Sequence, residues 1–236
     1  DQILKEQALA FITQIKTSTE GWKSCLKLLQ LDSTSLHTKF FAFQVVDDRL
    51  PFLPNEDKIT IKEVIFTYLD SLIANNKIEP FFLRNALSKT LGLIFVHCTT
   101  NCYSTLIKDL LSLSYNSTTD SFNEIATDYY IRTLLVIHQE IGDQMITRDS
   151  RSQDHNNLLK DSIRANDMID LANIWKKILS KLTAVSSPSD KIVDEIVNNT
   201  ILCIGYYISW IEINLILDEQ YMSFLYQFLS SNDNSK

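Results

Sequence analysis

Three groups of residues in the 236-residue sequence have types and spacings that could do chemistry. His97, Cys98 and Cys102 place an imidazole and two thiols close together, as a zinc site would. A closed zinc site needs four ligands, and no fourth group follows at the usual spacing. Asp47 and Asp48, with Asp128, could be imagined as paired carboxylates. No nucleophile, base partner or glycine-rich turn accompanies them, so neither catalysis nor a cofactor is expected. Lys160 and Arg164 form the third group. Four residues apart on a helix, they share one face, and such a basic pair suits two phosphates along a backbone. Asp161 and Asp167 dilute the local charge, and Lys176 and Lys177 read as solvated.

The elements that must position these groups are helices. Only 4 Gly and 4 Pro occur in the chain. That scarcity argues against a β-rich fold with many tight turns, and against nucleotide-binding folds that need glycines near phosphates. Gln2 to Ile15 carries Ile3, Leu4, Ala8, Phe11, Ile12 and Ile15 at helical spacing. Gly21 opens a short helix with Trp22, Leu26 and Leu29 on one face, and Lys23, Lys27 and Gln30 turned away. Further helices are predicted over Leu36 to Leu50, Asp57 to Asn75, Pro80 to His97, and Tyr103 to Leu113. The stretch from Ser114 to Glu124 reads as a polar loop, with Asp120 or Ser121 as the cap of a helix from Phe122 to Met145. Thr147 to Asn157 is charged and aperiodic and reads as a mobile loop, followed by one long helix over Leu158 to Leu182.

The stretch from Ile196 to Leu217 is almost continuously apolar. A membrane span needs about 20 apolar residues with few charges, and Glu212 with Asn214 would sit inside it at high cost. Composition agrees: 45% of residues are hydrophobic and the mean hydropathy is −0.04. The stretch is expected to be a helix buried on most of its circumference, and no membrane insertion is expected. Glu212 is expected near the helix end, and a last helix is predicted over Gln220 to Leu229. Trp22, Trp175 and Trp210 all read as core.

The net charge is −7 and the pI is near 5.1. Phosphate binding draws on clustered Lys and Arg, so the chain is no general nucleic-acid binder, although a local basic strip is compatible with the total. Three of Cys25, Cys98, Cys102 and Cys203 fall within apolar helical patterns, as buried free thiols do. The first residues carry charges among the apolar positions and do not read as a signal peptide. A reducing, nuclear or cytosolic compartment is expected, which makes the sequons at Asn116 and Asn198 chance matches.

Helices come in pairs, an antiparallel hairpin about every 40 residues, the period of HEAT-type arrays. The expected fold is all-α, an α-α superhelix (HEAT-repeat solenoid) of about five pairs. These cover roughly residues 1–32, 33–77, 78–116, 117–184 and 186–232 in a single array. In such a solenoid each pair buries its faces only against its neighbours.

The residues that carry a family resemblance stand within these helices. Phe40-Phe41-Ala42-Phe43-Gln44 resembles the second-repeat helix of importin-β superfamily (karyopherin) transport receptors. Phe82-Leu83-Arg84-Asn85 followed by Lys89 to Phe95 resembles the third-repeat helix of exportins. Two stretches are similar to the exportin-t (tRNA exportin) family: Asn156 to Arg164 leading to Trp175, and Cys203 to Ile216 with its Ser209-Trp210-Ile211-Glu212 run. The resemblance implies the N-terminal part of a longer receptor that shuttles between nucleus and cytoplasm. It implies that Ran in its GTP form sits on the N-terminal repeats, that tRNA is the cargo, and that hydrolysis by Ran releases both. Nuclear pore proteins are further implied partners, and the receptor itself performs no chemistry.

In a HEAT array the second helix of each pair usually lines the concave side. The Ran-binding candidates are therefore Lys23 and Lys27 in the first pair, Lys62 and Asp70 in the second, and Lys108 with Asp109 in the third. The tRNA candidates are Lys160 and Arg164. The alternative readings are a helical-repeat protein-binding scaffold, or another importin-β-type receptor that carries protein cargo.

Overall fold

In the computed structural model, residues 2–98, 105–143, 145–185, 191–216, 218–219, 221–224 and 226 are described. They contain ten α-helices, two 3₁₀ turns and one minimal hairpin, and the fold is all-α. The chain divides into two compact units, Asp1–Leu106 and Ile107–Lys236. None of the helices described is long and apolar enough to cross a membrane.

The first unit is built from α1 (Gln2–Thr17), α2 (Gly21–Leu29), α3 (Leu36–Arg49), α4 (Asn55–Ala74) and α5 (Phe81–Cys98). Ser35 starts α3 by accepting from the Thr38 N–H, a side-chain cap that satisfies a donor the first turn leaves open. Pro51 and Pro54 end α3, and a 3₁₀ turn over Leu50–Phe52 leads into α4. Phe43, Val46 and Leu50 are buried with Ile61, Ile65 and Leu69 of α4 and Leu91 and Ile94 of α5. Each such side chain stabilises the fold by about 1.5–3 kcal/mol.

Helix α1 forms where its spacing predicts, yet none of its residues is buried. Ile3, Leu4, Leu9 and Phe11 are all more than half exposed. Periodicity sets the helix and its apolar stripe, but only packing partners decide whether the stripe is covered.

Two buried carboxylates of this unit, Asp47 and Glu79, are paired with other elements. Asp47 of α3 accepts a 2.6 Å hydrogen bond from Thr90 Oγ1 of α5 and lies 3.6 Å from Lys89 Nζ. Burial raises its carboxyl to about 6, with Thr90 and Lys89 opposing. The Tyr68 hydroxyl donates to Glu79, which also pairs with Lys77 at 2.9 Å. The carboxylate at Asp47 is thus a packing group that fastens α3 to α5.

The second unit contains α6 (Leu106–Ser114), α7 (Glu124–Ile141), α8 (Ser150–Asn166), α9 (Met168–Val185) and α10 (Lys191–Tyr207). Between α6 and α7, the expected loop is instead a two-residue-per-strand hairpin, Tyr115 against Phe122 and Asn116 against Ser121. Asn116 Oδ1 accepts from the N–H groups of Thr118 and Thr119, and Asp120 takes a positive φ of 51°. The α7 cap is Asn123, whose side chain accepts from the Ala126 N–H, and not Asp120 or Ser121.

Three further expectations are corrected here. Thr147 to Asn157 is largely helical, because Asp149 caps α8 through the Ser152 N–H. Asn156, Leu159 and Ile163 then bury one narrow stripe, while the charges face solvent. The single helix expected over Leu158 to Leu182 is two, broken at Asp167, whose N–H still reaches Ile163 O. The helix expected over Ile196 to Leu217 ends at Tyr207.

Helix α10 is not enclosed on most of its circumference. It buries Ile196, Thr200, Cys203, Ile204 and Tyr207 along one side, while Leu202 and Tyr206 are nearly half exposed. Its main partner is α7. Tyr207 Oη donates to Leu134 O at 2.9 Å, and Arg132 links Asp128 on its own helix to Glu195 on α10. Asp128 therefore serves an ion-pair network. After Tyr207 the chain turns, and Glu212 lies exposed at the start of a 3₁₀ turn over Ile213–Leu215. Of the last predicted helix, Gln220 to Leu229, residues 221–224 and 226 are described and helical, and the others fall outside the described residues.

Candidate functional site

The site grows from the end of α7. A helix C-terminus leaves its last carbonyls without partners inside the helix. Arg148 supplies them: Nη2 donates to Gln139 O at 2.9 Å and Glu140 O at 2.8 Å. Its Nη1 donates to Asp143 O at 2.6 Å and Ile146 O at 3.3 Å. The buried Asn156 of α8 adds an Nδ2 bond to Glu140 O at 3.1 Å. Between the end of α7 and the first turns of α8 this leaves a cavity of about 280 Å³, lined by Asp143, Arg148, Gln153, Asn156, Asn157 and Lys160 among others.

The expected pair of Lys160 and Arg164 is split by its surroundings. Arg164 Nη1 binds Asp161 at 2.6 Å, and its Nε donates to Trp210 O at 2.7 Å. Its guanidinium also sits 5.7 Å from the centre of the Trp210 ring. Lys160 instead lines the cavity, half-buried, with no hydrogen-bond or ion-pair partner among the described residues. Burial lowers its pKa, the charges of Arg164 and Arg148 lower it further, and Asp161 opposes them. The two residues lie on one helix and face different groups.

Trp22 and Trp175 are buried as expected, and Trp210 is a correction. It sits half-buried in the turn after α10, against Tyr207 and beneath Arg164, with Nε1 directed to His138 Nδ1 at 3.4 Å. His138 stacks on Tyr206 at 4.9 Å, and burial depresses its pKa. Three other cations of this unit are engaged. Lys176 pairs with Asp218, Lys177 donates to Tyr115 Oη at 2.6 Å, and Lys181 pairs with Asp120.

Of the partner-face candidates, Lys23 and Lys27 lie exposed one turn apart on α2. Lys23 is bound 2.7 Å from Glu20 and lies over the Trp22 ring. Lys62 is half-buried on α4 with its ammonium over Phe66, and Asp70 is exposed two turns further on. Lys108 is exposed and Asp109 half-buried on α6. Cys98 is buried, whereas Cys102 lies outside the described residues. Among the described residues no group of three or more His, Cys, Asp or Glu is arranged to hold a metal.

Arg148, Gln153 and Asn157 are not legible as site residues in a stretch whose charge and lack of periodicity read as a loop. The signal was present: Asp149 stands at a cap position, and the Asn156, Leu159 and Ile163 spacing follows it.

A family profile described as Exportin 1-like protein matches residues 80–236. The chain belongs to that family. Relatives named Exportin-T align along nearly all of it: 38% identity over 98% of the chain for Candida albicans, and 37% over 99% for Debaryomyces hansenii. The Scheffersomyces stipitis Exportin-T shares 40% identity over 98%. This exportin-family chain spans about a quarter or less of the length of those relatives, 22–23% for the three. The helical-repeat fold class follows from the family and from the all-α content together.

Proposed function

We propose that this chain is part of a nuclear export receptor for tRNA, which binds Ran in its GTP form and releases cargo when Ran hydrolyses GTP in the cytoplasm. The carrying observation is the alignment of Exportin-T relatives at 37–40% identity along 98–99% of the chain. In this reading the helices form one array of five pairs, bounded roughly as 1–32, 33–77, 78–116, 117–184 and 186–232. The array flexes between repeats and contacts nuclear pore proteins during passage.

The exposed Lys23, Lys27, Asp70 and Lys108, with the half-buried Lys62 and Asp109, are the proposed Ran contacts. Mixed charges suit a protein surface, where complementarity sets approach and register more than raw affinity. For tRNA, Lys160 is the proposed contact, because it retains a cation without a partner. Arg164 is proposed to support it by holding α8 against the Trp210 turn.

The test uses a full-length Exportin-T relative in which residues 1–236 of this sequence replace the matching segment. Immobilised GTP-loaded Ran should retain the chimera together with tRNA, and GDP-loaded Ran should not. Retention that ignores the nucleotide on Ran would overturn the reading and favour a protein-binding scaffold. Retention by GTP-loaded Ran with no tRNA dependence would point to a receptor for protein cargo.

A further inference from the structure

We propose that the corner between α7 and α8 is a receptor for a single phosphate group, with Lys160 as its ion-pairing donor and the amides of Gln153 and Asn157 as its neutral ones. The proposal rests on the tRNA reading for the molecule that carries the phosphate, and on the corner's own geometry for the phosphate itself.

The cavity, about 280 Å³, falls just below the range of about 300–1,000 Å³ typical of pockets for drug-sized ligands. Its lining is mostly polar, which suits a small hydrated ion over an apolar body. Its charges add in one direction. Lys160 and Arg148 contribute two positive charges and Asp143 one negative, while Arg164 and Asp161 neutralise each other. A positive pocket in a chain of net charge −7 is a local exception.

Arg148 is a fixed part of that field. Its four carbonyl bonds hold it in place, and the α7 C-terminal dipole offsets part of its charge. Lys160 is the movable part. A half-buried ammonium near two guanidinium groups, with no anion against it, loses hydration without gaining a partner. An incoming phosphate supplies that partner through a charge-assisted hydrogen bond. Gln153 Nε2 spends one N–H on Arg148 O at 3.0 Å and keeps a second, and the exposed Asn157 has no partner among the described residues. Asp143 opposes any anion. Its Oδ1 accepts from the Met145 N–H at 2.8 Å, which engages part of the carboxylate.

The experiment titrates the 236-residue chain with inorganic phosphate at constant ionic strength, following side-chain amide NMR signals of Gln153 and Asn157. Saturable shifts are expected, weakened at least about tenfold in Lys160→Gln. They should be strengthened several-fold in Asp143→Asn. The gain in Asp143→Asn cannot come from misfolding. Equal responses in the parent chain and Lys160→Gln, or no response at all, would overturn the phosphate site. Short single-stranded RNA and a phosphoserine peptide are then titrated over a range of salt. Lys160→Gln should reduce the salt slope for RNA by about one. Phosphate saturation with an unchanged RNA slope would keep the pocket and overturn RNA as its carrier, and a Lys160 dependence for the peptide alone would do the same. RNA binding with no phosphate response would overturn the pocket and leave the cargo reading standing.

Discussion

Arg164 of α8 donates from Nε to the carbonyl of Trp210 at 2.7 Å, and its guanidinium faces the Trp210 ring at 5.7 Å. One side chain thus fastens α8 to the turn where α10 stops. The same turn is drawn in by Tyr207 O, which accepts from the N–H groups of Trp210 and Ile211. Arg164 in this way holds α8 to that turn, and Lys160, one turn earlier, lines the cavity.

Substituting Arg164 by Ala should therefore lower stability more than it lowers anion binding. A charge-assisted bond is worth roughly 1.5–3 kcal/mol when buried, and exposure of this guanidinium reduces the expectation to about 1 kcal/mol. Urea unfolding followed by circular dichroism measures it. Lys160→Ala, which breaks no bond among the described residues, should shift the same midpoint little. Equal destabilisation by both substitutions would contradict the separation of roles.

Asp47 predicts a pH dependence with a definite sign. Its carboxyl titrates near 6 in the folded chain, above the unfolded value near 3.8, because burial disfavours the charged form. A raised folded pKa means that the folded state holds its proton longer. The stabilisation is complete below about pH 4 and is lost as pH rises through about 6. Asp47→Asn should flatten the fall in unfolding free energy between pH 4.5 and 7, by on the order of 2 kcal/mol. Asp120 works in a lower window. The Lys181 and Tyr115 hydrogen bonds to Asp120 hold its pKa down to about 2, so its contribution fades only as pH falls below the usual carboxylate range. A slope unchanged in Asp47→Asn would assign the loss to other groups.

Two glycines make a matched pair. A methyl group at Gly142 would lie 2.6 Å from His138 Nδ1 and 2.9 Å from Cε1, so the imidazole would have to leave its stack on Tyr206. At Gly205, inside α10, a methyl group meets nothing within 4 Å. Gly205→Ala should stabilise the chain by up to about 1 kcal/mol through helix propensity. Gly142→Ala should destabilise it by about 1–3 kcal/mol, the cost of overpacking. Thermal unfolding reads both, and a destabilised Gly205→Ala would show that the outer side of α10 is covered.

The sequence by itself determined the all-α class, the positions of most helices and the family. Apolar residues at helical spacing demand a buried or buriable face wherever they occur, and the scarcity of Gly and Pro leaves few places for turns. It also placed α2 and α3 almost to the residue, and Ser35 starts α3 through a bond to its near neighbour Thr38. Where a helix is capped by a charged run, as at Asp149, local hydrophobicity points the wrong way, and the first half of α8 reads as a loop. Tertiary structure alone decided the rest. The turn after Tyr207 is held by Arg164 from another helix, and the exposure of α1 depends on what lies against it. The separation of Lys160 from Arg164 has the same origin. Helical periodicity puts both on one face, but the groups brought against that face, the Trp210 turn on one side and the Arg148 corner on the other, come from segments distant in sequence.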